Sequence, residues 1–245
     1  MDPQFEALTT RLGAIADLNN AAAVLRWDQQ TYMPRGATQA RAQQLATLRQ
    51  TAHEWLTADE TGELLADLEP QTKDLDYDSF EASRVRGTRR DYERQRKLPP
   101  DLVARLTRAT SLGHEAWEKA REASDFAIFL PHLDEILDLS TEMADALGYE
   151  DRIYDALIDR FEPELKTARV EELFEEMKAG LVPLVQAISE RQDKTGASFF
   201  AQDFPVDRQW DFGLEVIARL GFDFEHGRQD RSAHPFTTSF TPADV

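Results

Sequence analysis

The sequence predicts a mainly α-helical protein, and three observations carry that expectation. Apolar residues recur at steps of three, four and seven over most of the chain. Proline and glycine stand where helices would start and stop. Strand character is confined to the segment after Asp230.

Phe5, Leu8, Leu12, Ile15, Leu18 and Leu25 build the first apolar stripe, and Leu45, Leu48, Ala52, Trp55 and Leu56 mark a second helix. Pro99-Pro100-Asp101 is a start signal, because the first helical turn leaves backbone donors unused and so tolerates proline. Leu102, Leu106, Ala109 and Ala116 then share a face. Leu133, Ile136, Leu137, Met143, Ala144 and Leu147 follow, with Gly148 where a C-cap glycine belongs. Val170, Leu173, Phe174, Met177, Leu181, Leu184 and Ile188 make a further long stripe, which Pro183 is expected to kink by removing a donor. Trp210, Leu214, Ile217 and Ala218 form the last helix, closed by Gly221. Residues 236–240, between two prolines, read as an edge strand or extended segment. The polar stretches 69–78 and 192–198 read as loops, too short to separate domains. Residues 1–245 are therefore expected to form a single helical domain, or one helical lobe of a larger protein.

Composition excludes several classes. At 245 residues the chain is long enough to bury a core. Its 46 acidic against 28 basic residues, a net charge of −18, repel phosphate backbones and anionic membranes, so neither is an expected partner. No apolar run approaches the ~20 residues of a membrane span. The acidic start lacks the basic and apolar regions of a secretory signal. Without cysteine there is neither disulfide nor thiolate nucleophile, a composition compatible with a reducing cytosol.

The sequence carries no conventional zinc site. A zinc peptidase helix needs two histidines four residues apart, with a glutamate beside the first to activate the metal-bound water. His53, His114, His132, His226 and His234 offer no such pair. His53-Glu54 is followed at the second position by Thr57, and His114-Glu115 by Glu118. His226, Asp230 and His234 have the composition of a two-histidine, one-carboxylate metal triad, at a spacing that is not diagnostic. Paired acids such as Glu171/Glu172 are expected on a solvated helix face. Ser232 and His234, two residues apart, do not face each other as a nucleophile and base would.

The tail, residues 227–245, is the most informative stretch. Gly227-Arg228, Asp230-Arg231-Ser232 and His234-Pro235-Phe236 resemble the segment before the metal site of the Taq-type zinc metallocarboxypeptidases. In that family a D-x-R-x-T motif follows, of which Asp244 and Val245 would be the start, and H-E-x-x-H comes later. Other blocks resemble the same family in order along the chain: Trp27-Asp28-Gln29 with Thr31 and Met33-Pro34; Gly36-Ala37 and Arg41-Ala42; Leu48 to His53-Glu54; Trp117 with Ala120-Arg121, Asp125-Phe126, Phe129 and Pro131; Tyr154-Asp155 to Asp159 with Phe161-Glu162-Pro163; and Phe204-Pro205, Gln209 and Gly221-Phe222-Asp223-Phe224.

The resemblance implies the helical N-terminal lobe of a groove-shaped zinc peptidase that removes C-terminal residues from peptides, cytoplasmic and homodimeric. It implies that His234, Pro235, Phe236 and Asp244 contact substrate. The zinc ligands and the glutamate base are expected beyond Val245, in a catalytic half that partners this one, and residues 1–245 alone are expected to be inactive. The alternative is a non-enzymatic helical binding or assembly module derived from that family.

Overall fold

The computed structural model describes residues 3–191, 201–241 and 243–244, so the loop expected at 192–198 lies outside the described residues. Among them, nine α-helices carry the regular structure: α1 (Pro3–Thr31), α2 (Thr38–Thr57), α3 (Asp59–Thr72), α4 (Phe80–Gln95), α5 (Pro100–Ala123), α6 (Leu130–Leu147), α7 (Ile153–Ile158), α8 (Thr167–Ser189) and α9 (Val206–Arg219). The fold is mainly helical, and several punctuation marks fall where the sequence puts them. Helix α5 opens at Pro100. Helix α6 closes at Gly148, whose N–H donates to the Ala144 carbonyl and whose φ of 81° turns the following chain out of the helix. Gly221, at φ 91°, turns the chain after α9.

Helices α3 and α4 escape the periodicity. The loop expected over 69–78 begins only after Thr72, and α3 runs through Pro70. Buried Leu65 and Leu68 hold its last turns inward, and Glu69 accepts two bonds from Arg89 of α4 at 2.6 and 3.0 Å. Helix α4 hides its stripe among charges: its buried residues are Ala82, Val85, Thr88 and Tyr92. Ser79 caps it by accepting from the Ala82 amide.

The chain groups into two compact units, residues 1–148 with 229–245, and residues 149–228. In the first unit α2 packs against α5, α1 and α4, α3 lies on α4 and α1, and α6 covers α5. Phe5, Leu8, Leu65, Leu68, Val85 and Tyr92 form one buried cluster joining α1, α3 and α4. The inward face of α5 is built from small residues, Ala104, Ala109, Ser111, Gly113, Ala116 and Ala120. Such a face admits close helix approach; a Cβ on Gly113 would stand 2.8 Å from Ile136 Cδ1 of α6. Polar ties fix the packing. Arg41 of α2 donates to Asp28 at 2.6 Å and to the Leu25 carbonyl, and Gln29 bonds both the carbonyl and hydroxyl of Ser111.

In the second unit buried Asp155 of α7 accepts from the amide and hydroxyl of Thr167, at 2.8 and 2.6 Å, capping α8. These bonds hold its carboxyl below the usual range. The stripe read along α8 is helical as expected and continuous through Pro183, but no residue of α8 is buried. Leu173, Phe174, Met177, Leu181, Leu184 and Ile188 are all exposed.

The strand expected near the C-terminus is a correction. Residues 229–240 are irregular, and a single antiparallel bridge joins Thr241 to Asp244. The physical reason is that Pro235 lacks an amide donor, and the segment is held by side chains from helices rather than by a neighbouring strand.

Candidate functional site

The tail is positioned by the last turns of α1 and α5. Trp117 and Arg121 sit four residues apart on α5 and so share a face. Arg121 Nη1 donates to the Ala233 carbonyl at 2.7 Å, while its guanidinium lies 5.6 Å from the Trp117 ring centre. The Trp117 ring meets the His234 ring edge-on, with centroids 6.1 Å apart at 68°. From α1, Trp27 meets Tyr32 at 5.7 Å and Phe240 at 6.4 Å, and Phe240 is the buried anchor of the tail. The hydroxyl of Tyr32, just past α1, donates to Asp230 Oδ1 at 2.5 Å.

His234, Pro235 and Phe236 form an exposed segment on this docked tail. The Pro235 carbonyl can only accept, so His234 Nδ1, 2.9 Å away, carries a proton. Ser232 donates to the His234 carbonyl at 2.7 Å and does not engage the ring. Asp244 lies at the other end of the tail in a tight turn, its carbonyl accepting from the amides of Phe240 and Thr241 at 2.9 and 3.3 Å.

Three of the four other histidines have structural surroundings. His53 is buried, and its Nε2–H donates to the Leu98 carbonyl at 2.9 Å. His226 donates to Asp223 at 2.7 Å, and this bond, with one from the Glu225 amide, holds the Asp223 carboxyl below its usual range. His114 stands 3.8 Å from Glu118 and 5.7 Å from the Trp117 ring. Burial lowers its pKa; Glu118 works against that shift and the Arg26 charge adds to it. Among the described residues, no three His, Cys, Asp or Glu side chains form a metal-ligating group. Two open hollows of the first unit, beside Tyr77 and beside Trp55, share no lining residue with the tail.

The docking residues Trp27, Tyr32, Trp117 and Arg121 are the part of this site that periodicity does not disclose. The available signal is aromatic residues at the C-terminal ends of two amphipathic helices, where a core needs none.

Residues 7–245 match the model of the family Carboxypeptidase Taq (M32) metallopeptidase, and the chain belongs to that family. It is 31% identical over 234 residues to Carboxypeptidase 1 of Bacillus subtilis (strain 168), covering 96% of this chain and 46% of the relative. It is 35% identical over 240 residues to Thermostable carboxypeptidase 1 of Thermus thermophilus, covering 94% and 47%. Among solved structures, the BsuCP crystal structure superposes with a TM-score of 0.93 at 29% identity, covering 98% of this chain and 48% of that one. The structure of Pyrococcus furiosus carboxypeptidase gives a TM-score of 0.79 at 30% identity, covering 100% and 49%. The chain spans about half the length of the curated relatives it matches. No helix among the described residues is long and apolar enough to cross a membrane.

Proposed function

We propose that this chain supplies the N-terminal walls and part of the rim of a zinc-dependent carboxypeptidase that hydrolyses C-terminal amino acids from peptides. In this reading His234, Pro235, Phe236 and Asp244 contact the substrate, and the enzyme is a cytoplasmic homodimer. The observation that carries the reading is the exposed His234-Pro235-Phe236 segment, held on a docked tail in a chain whose family match runs through it. A neutral His234 would offer Nε2 to a peptide N–H, and exposed Phe236 would offer apolar area to a side chain.

Zinc is the metal this reading implies. A catalytic zinc takes three protein ligands, and the described residues of this chain do not make such a set. In this reading the ligands and the general base belong to the other half of the enzyme, and residues 1–245 alone are inactive. Assay of the purified chain with added zinc, on peptides with free C-termini, tests this. Zinc-dependent release of C-terminal amino acids by the chain alone would overturn it. Substrate contact is tested by NMR: peptide titration is expected to shift the resonances of residues 234–236, and their indifference to every peptide would refute the assignment.

A second reading, a helical assembly module, is favoured by the exposed apolar run of α8. It predicts self-association or partner binding that charged substitutions at Leu181 and Leu184 abolish, with no peptide contact at 234–236.

A further inference from the structure

An irregular segment has no hydrogen-bond ladder to set the direction of its side chains; within the tail His234 is held by Ser232 at its carbonyl and by Pro235 at Nδ1, and the further contacts come from α5. Two side chains of α5 reach consecutive tail residues: Arg121 the Ala233 carbonyl, Trp117 the His234 ring. The two also hold each other through the guanidinium over the indole. Trp117 also meets the ring of His114, with centroids 5.7 Å apart. The Ala233 carbonyl is exposed, so water would replace the Arg121 bond at little cost in stability. What water would not replace is direction. That bond holds the peptide plane immediately before His234, and the indole meets the imidazole at a steep angle. The ring is thereby left to close Nδ1–H on Pro235 and to turn Nε2 outward.

We infer that Trp117 and Arg121 are positioning residues that fix the orientation and tautomer in which His234 meets a peptide. The inference rests on the substrate-contact reading of His234 proposed above. Neither residue touches substrate; both act through the tail.

The test is ¹⁵N NMR of the imidazole in the chain itself, combined with steady-state kinetics of the active enzyme that contains this chain. Wild-type His234 is expected as the Nδ1–H tautomer. Trp117→Leu and Arg121→Gln are each expected to mix the tautomers and to raise KM on the order of tenfold, with kcat changed far less. Trp117→Phe, which keeps an aromatic edge, is expected to restore both. Arg121→Gln is exposed and leaves the helix intact, so it stays informative if Trp117→Leu folds poorly. Unchanged tautomer and KM in Arg121→Gln and Trp117→Leu would overturn the inference, as would a Trp117→Phe protein no better than Trp117→Leu. The control is His234→Ala: if it leaves KM unchanged, the substrate-contact reading fails. If it raises KM while the α5 variants do not, only the positioning role fails.

Discussion

Two leucines that look alike in the sequence should behave oppositely. Leu65 of α3 is 0% exposed inside the cluster that joins α1, α3 and α4. Leu184 of α8 is 56% exposed. Replacing Leu65 by alanine removes roughly three carbons from a site with no access to water, about 2.4 kcal/mol of transfer free energy at ~0.8 kcal/mol each. The cavity left behind adds to this, because Phe5, Leu8, Leu68, Val85 and Tyr92 relax only partly, for a total of about 3–4 kcal/mol. Leu184→Ala opens no cavity and should change stability by no more than about 0.5 kcal/mol. The assay is urea unfolding in a Trp210→Phe background, where Trp27, Trp55 and Trp117 report the first unit alone. With m of roughly 1–3 kcal/mol/M, Leu65→Ala should lower the midpoint by about 1–4 M at unchanged m. A loss below about 1 kcal/mol at Leu65 would refute the reasoning, as would an equal loss at Leu184 followed by circular dichroism.

Gly62→Ala should destabilise the first unit, because the new Cβ would stand within 2.8 Å of the buried Tyr92 ring carbon Cζ and closer still to its hydroxyl. A midpoint equal to wild type would contradict that contact. The Thr167 bonds hold Asp155 below the ordinary carboxylate pKa of ~3.9, so its stabilising contribution is present above that value and lost as pH falls through the folded pKa. Asp155→Asn should flatten acid unfolding of the second unit below about pH 4, read from Trp210 fluorescence. Burial depresses His114, so the folded state resists its protonation and the first unit should weaken as pH falls below ~6.5. His114→Gln should remove that slope between about pH 7 and 5, and an unchanged slope would place its origin elsewhere.

The helices whose apolar residues are large were legible from spacing alone. Helix α4 was not, because Ala82, Val85, Thr88 and Tyr92 are too small or too polar to stand out among eight charged neighbours such as Arg86 and Arg89. The His234-Pro235-Phe236 segment was legible as a motif, whereas Trp117 and Arg121 were legible only as letters of a block. Their contacts with Ala233 and His234 span more than a hundred residues of chain. Spacing within one helix carries no information about what arrives from so far along.

By itself the sequence determined the helices α1, α2, α5, α6, α8 and α9, where proline and glycine punctuate them, and which family the chain resembles. Those are local properties, set by backbone sterics and by the 3.6-residue repeat. Tertiary structure alone decided which stripes are covered. The stripe of α1 closes on Leu65 and Val85, and the equally apolar stripe of α8 stays open. It also decided that residues 236–240 dock on aromatic side chains instead of pairing as a strand. Amphipathicity says that a face wants burial, and only the folded chain says against what.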